Sequence, residues 1–97
     1  MRGAVRFPIV LSMMVTSEEK EFSAHTRDVS ASGILFELDR PLPVGLNIQF
    51  SLVMPSAVLG TPRDILVRCS GRVVRCSMYQ SYYLAAATID YYQFAEQ

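Results

Sequence analysis

The strongest constraint on this chain is a nine-residue run, Leu46 to Met54. In it Leu46, Ile48, Phe50, Leu52 and Met54 alternate with Asn47, Gln49, Ser51 and Val53. A period of two puts one set on each face of a β-strand, so this segment is expected to bury one side. Five further stretches carry β-type residues between turn signals: Phe7 to Thr16, Phe22 to Val29, Ile34 to Leu38, Ile65 to Ser77 and Tyr82 to Ile89. In the second of these, Phe22, Ala24 and Thr26 fall on one face, with Ser23, His25 and Arg27 on the other. Pro8 suits the start of an edge strand, and Gly71 marks a bulge or a tight bend. The connections are a charged turn (Ser17 to Glu21), Ser30-Ala31-Ser32-Gly33, Asp39 to Gly45 with two prolines, Pro55 to Asp64, and Met78 to Ser81. Asp90 suits an N-cap, which predicts a short helix over Tyr91 to Gln97. Six strands with turns this frequent and almost no helix predict an all-β fold, a small antiparallel barrel or sandwich.

The 97 residues suffice for one domain and are too few for two. Hydrophobic residues make up 51% of them, enough for a core that needs neither disulfides nor a metal. The longest weakly charged apolar stretch, Leu46 to Gly60, is broken by polar residues and Pro55, short of the roughly 18 residues of a membrane span. Arg2 and Arg6 ahead of Ile9 to Val15 look superficially like a signal peptide. Ser12 interrupts that apolar part, no small-residue cleavage site follows, and Glu18 and Glu19 come next, so it is expected to be a first strand.

Nine basic and nine acidic residues cancel, which removes the overall positive field of a DNA- or RNA-binding protein. Eight of the nine basic residues are arginine, whose planar fork pairs with phosphate or a guanine edge; a GC-rich genome is the other source of such a bias. Cys69 and Cys76 lie seven residues apart. In one extended strand that is about 23 Å, and in a hairpin at Ser70-Gly71 they face other residues, so neither arrangement pairs them. They are expected to be buried thiols in a reducing cytosol. His25 is the sole histidine and completes no metal set with them, and no nucleophile elbow accompanies Asp28 and Ser30. Neither a metal site nor an enzyme is expected.

Two short arrangements remain. Arg2-Gly3-Ala4-Val5-Arg6 is an Arg-x-x-x-Arg leading into the first strand, and Asp28-Val29-Ser30-Ala31-Ser32-Gly33 is an Asp-x-Ser-x-x-Gly between the second and third. Each alone is weak. Arg68 to Arg72 repeats the first spacing in mid-strand, where it is taken as coincidence, and the second is a common turn pattern. Together, in this order, they resemble the signature of the PilZ domain family. The context is similar too: Phe7-Pro8 after the second arginine, Thr26 to Leu38 around the second motif, then Leu42 to Gly45 and Gly71 to Arg75. The run Ala85-Ala86-Ala87 departs from the glycine the family often carries there.

The resemblance covers essentially the whole chain and implies a bacterial, cytoplasmic, six-stranded antiparallel β-barrel over residues 8–90, preceded by a ligand-wrapping arginine segment (residues 1–7) and followed by the short helix (91–97). It implies a receptor for cyclic di-GMP, with Arg2, Arg6, Asp28, Ser30 and Gly33 as its site and no cofactor beyond that ligand. Arginine forks suit guanine O6 and N7, phosphate oxygens or a purine face. The Asp28 carboxylate suits guanine N–H donors, and Gly33 suits close approach. The resemblance also implies a protein partner or fused domain that reads the bound state. The alternative is a degenerate PilZ module that docks on proteins through exposed tyrosines and Phe94 and binds no nucleotide. An oligonucleotide-binding barrel fits poorly, because aromatics are not interleaved with basic residues.

Overall fold

The computed structural model describes residues 6–96. Seven strands run through it: β1 (Ser12–Ser17), β2 (Lys20–Val29), β3 (Gly33–Leu38), β4 (Asn47–Met54), β5 (Ile65–Tyr79), β6 (Tyr82–Thr88) and β7 (Tyr91–Glu96). A single short helix, α1 (Ser56–Leu59), lies in the connection between β4 and β5 and ends on Gly60 in the left-handed region. Every pairing is antiparallel, in the order β4-β1-β2-β3-β6-β5, and β4 also pairs with β5. That last pairing closes six strands into a barrel. β7 is an additional strand laid along residues 65–70 of β5.

The alternation read from sequence is the one that builds the core. Ile48, Phe50, Leu52 and Met54 of β4 point inward, as do Ala24 and Thr26 of β2, with Phe22 partly buried against them. Ile34, Phe36 and Leu38 of β3 meet Ala85 and Ala87 of β6 and Val67, Cys69 and Val73 of β5. Burial lifts the Cys69 thiol from its ordinary 9.0 to about 11, so it is a packing residue rather than a reactive one. Both cysteines are free, and β5 passes through them as one strand.

Three expectations need correction. Residues 91–96 form strand β7, not a helix: the Asp90 amide donates to the Ser70 carbonyl, and Tyr91 to Glu96 then pair with β5. An open β5 edge satisfies more backbone groups there than one helical turn would, and Tyr-Tyr-Gln-Phe is β-prone. The first strand begins later than its apolar run, at Ser12, with Phe7 held by a separate bridge to Val29. Gly71 is neither bulge nor bend. It pairs regularly with Ile48, while the backbone of Thr88 crosses so closely that an added Cβ would lie 1.8 Å from the Thr88 carbonyl oxygen.

Gly71→Ala is therefore expected to destabilise the barrel by about 2–4 kcal/mol in urea unfolding, at the upper end of overpacking effects because the obstacle is backbone. A loss below about 1 kcal/mol would mean the crossing relaxes freely.

Candidate functional site

By simple alternation, Asp28 would follow Ala24 and Thr26 into the core. A one-residue bulge prevents this: Thr26 pairs with Phe36 and Asp28 with Leu35, leaving Arg27 as the extra residue. Asp28 then turns toward the surface and Val29 takes the buried place. β5 does the same against β6. Val73 pairs with Ala87 and Arg75 with Ala86, so Val74 is extra, and Val74 and Arg75 are both exposed. Bulges of this kind re-aim side chains beside functional sites.

Arg6 reaches this face through the segment before β1. Phe7 and Val29 exchange both backbone hydrogen bonds (2.7 and 3.0 Å), which brings the preceding Arg6 beside Asp28. The fully buried Thr26 ties down the residues that follow. Its hydroxyl donates to the Ile9 carbonyl at 2.6 Å and accepts from the Leu11 amide at 2.8 Å, while its own amide donates to the Leu11 carbonyl at 2.8 Å. The Arg6 guanidinium forms an ion pair with Asp28 Oδ2. Arg6 is 68% exposed, so the pair contributes about 0–1 kcal/mol and exchanges readily for another partner. Asp28 Oδ1 is buried and accepts no hydrogen bond among the described residues.

Ser30 organises the next turn. Its hydroxyl accepts from the Gly33 amide at 3.1 Å and the Ser32 amide at 3.3 Å, and donates to the Gly33 carbonyl at 3.2 Å. Such serine turns fix the backbone locally. At Gly33 a Cβ would stand 3.2 Å from the Ala87 carbonyl oxygen, so glycine permits the close approach of β3 to β6.

Arg6, Asp28, Ser30 and Gly33 line one open cleft of about 300 Å³. Arg2 lies outside the described residues. Leu35 and Ala86 belong to the cleft as well, and Arg75 stands on its other side. Arg75 belongs to neither motif. The one signal for it in the sequence is its place at the end of Gly71 to Arg75, and its parity with Val73 points inward until the bulge reverses it. Arg27 is engaged elsewhere: it donates to Glu37 Oε2 at 2.6 Å, and this bond first, then one with Tyr82, raises its pKa. Arg68 and Arg72 are exposed on β5, and neither lines the cleft.

The model of the PilZ domain matches residues 2–91. The chain belongs to the PilZ domain family. PilZ domains are regulatory receptor domains, generally of cyclic di-GMP, and no catalytic family is indicated. Among solved structures, the Bacillus subtilis inhibitor of motility (MotI/DgrA) superposes with a TM-score of 0.80 at 18% sequence identity, over 94% of this chain and 43% of that one. At that identity the likeness speaks for the PilZ fold alone, and the chain spans less than half the length of that protein. No curated protein sequence matches it. Among the described residues, no helix is long and apolar enough to cross a membrane.

If Thr26 anchors the segment that presents Arg6, Thr26→Val should cost about 2–4 kcal/mol in urea unfolding, because it leaves two backbone groups unpaired. Thr26→Ser, which keeps the hydroxyl, should cost about 1 kcal/mol. The reverse order would contradict the anchoring role.

Proposed function

We propose that this PilZ domain is a receptor for cyclic di-GMP that gathers the ligand into the cleft between Arg6 and the β2–β3 turn. The observation that carries this reading is the Asp28 carboxylate: one oxygen holds an exposed, exchangeable arginine, and the other is buried with no donor among the described residues. With Arg6 displaced and its buried oxygen uncovered, this carboxylate accepts two parallel N–H groups, which is what the N1 and N2 edge of guanine offers. Arg6, released from Asp28, pairs with a phosphate oxygen or stacks on the base. Ser30 holds the turn in shape with its hydroxyl and contributes to the ligand from there, while Gly33 keeps β3 close to β6. Arg2 adds a second fork from the segment of residues 1–7. Ligand in the cleft alters the surface around Arg6 and the β2–β3 turn, and that surface is what a partner protein or fused domain reads, a switch without chemistry. The setting implied is the bacterial cytoplasm.

A second reading is favoured by β7. Tyr91, Tyr92 and Phe94 are exposed on a strand that, among the described residues, pairs only with β5. Such a surface suits a protein-docking module that needs no nucleotide.

Calorimetric titration separates the two. The receptor reading expects selective binding of cyclic di-GMP at micromolar affinity or tighter, with GTP and cyclic di-AMP much weaker. Asp28→Ala and Arg6→Ala should each weaken binding by roughly 10- to 100-fold, the value of a hydrogen bond to a charged group, with unchanged thermal melting. No heat from any nucleotide would overturn the receptor reading in favour of the docking module, and unfolding of either variant would remove that residue from the site.

A further inference from the structure

Asp28 and Arg75 stand in a single cross-strand row. Asp28 pairs with Leu35, Leu35 with Ala86, and Ala86 with Arg75. Four adjacent strands at about 4.8 Å spacing put their Cα atoms roughly 14 Å apart, with the Leu35 and Ala86 positions between them. Both ends of the row are turned outward by a bulge in the same register. Without either bulge, the parity of its strand would carry a charged group into the core at a cost of several kcal/mol. Two separate distortions thus deliver an acceptor and a donor to opposite walls of one cleft, across a floor that is low because residue 86 is alanine.

Its place separates Arg75 from the other arginines. Arg6, Arg27 and Arg40 are paired with Asp28, Glu37 and Asp39, and of the four that make no ion pair among the described residues (Arg63, Arg68, Arg72 and Arg75) Arg75 alone lines the cleft. Its neighbours in the cleft are aliphatic: Val74, Leu35 and Ala86. A guanidinium beside an apolar floor is set to grip two coplanar acceptors on a flat ligand resting there.

The geometry points to Arg75 as a ligand-contacting residue that takes a bidentate pair of acceptors at the end of the nucleotide opposite Asp28. The acceptors are either guanine O6 and N7 or two phosphate oxygens. This inference rests on the receptor reading above and extends its site from the two N-terminal motifs to β5. Val74 and Ala86 set the width of the slot, so the ligand is held between walls contributed by β2 and β5 rather than against one edge.

The test is calorimetry of Arg75→Gln and Arg75→Lys with cyclic di-GMP, beside Arg68→Gln, which removes an equal charge from β5 outside the cleft. Arg75→Gln is expected to weaken binding roughly tenfold or more, Arg68→Gln to leave it within about twofold, and Arg75→Lys to restore little, since a point charge lacks the fork. An analogue with 7-deazaguanine in place of both bases distinguishes the two acceptor sources. The parent protein discriminates against it, and Arg75→Gln does not, if the fork takes the base edge; with phosphate as the partner the analogue and cyclic di-GMP bind the parent alike. Binding by Arg75→Gln within about twofold of the parent, while Asp28→Ala fails to bind, overturns the role of Arg75 and leaves the receptor reading standing. Equal losses in Arg75→Gln and Arg68→Gln reduce the effect to overall charge and overturn it as well, and full rescue by lysine overturns the bidentate grip. A parent that binds no nucleotide overturns the receptor reading and this inference together.

Discussion

A barrel this small has no room for an unpaired charge inside it, and that constraint organises the face on which the cleft lies. β2 and β5 each carry a charged residue at a position whose parity would bury it, Asp28 after Thr26 and Arg75 after Val73. Burying either would cost more than one irregular ladder step. Each strand accepts an extra residue, Arg27 or Val74, and resumes its inward pattern one step later with Val29 or the partly buried Cys76. Core packing continues on both sides of the fault. What the faults leave behind is an outward row of an acid, two apolar residues and a base.

Local polar contacts then frame that row as a cleft. The buried Thr26 hydroxyl substitutes for ladder bonds where the chain enters the barrel, the Phe7–Val29 bridge brings Arg6 against β2, and the Ser30 turn fixes the adjoining β2–β3 connection. None of these bonds needs a ligand. The frame is therefore preformed, and the parts left to respond are the exposed Arg6 side chain and its exchangeable pairing with Asp28. A weak surface ion pair is well suited to such a role, because its replacement by a ligand forfeits little.

Much of this was legible in the residues. The inward sets of β2 and β4 follow from period two, and the order of the arginine and Asp-x-Ser-x-x-Gly motifs led to the family. Arg6, Asp28, Ser30 and Gly33 do come together at one cleft. Legibility failed where a decision is not local. Whether Tyr91 to Glu96 coils or extends depends on the vacant edge of β5, which no property of those residues announces. Gly71 looked like a break in its own strand, yet its need is set by the Thr88 carbonyl of another strand. Arg75 was hidden for a related reason: strand parity is readable, but a bulge that resets it is fixed by pairing with β6.

A nucleotide held in the cleft between β2 and β5 perturbs the amides of both walls, and NMR chemical-shift mapping during a titration with cyclic di-GMP reads this out. The largest shifts are expected at Asp28 to Gly33, at Val74 and Arg75, and at Ala86 to Thr88, with the Glu18-Glu19 turn and the outer face of β7 unmoved. Shifts centred on Tyr91 to Phe94, or none on either wall of the cleft, would put the nucleotide elsewhere and overturn its place between β2 and β5.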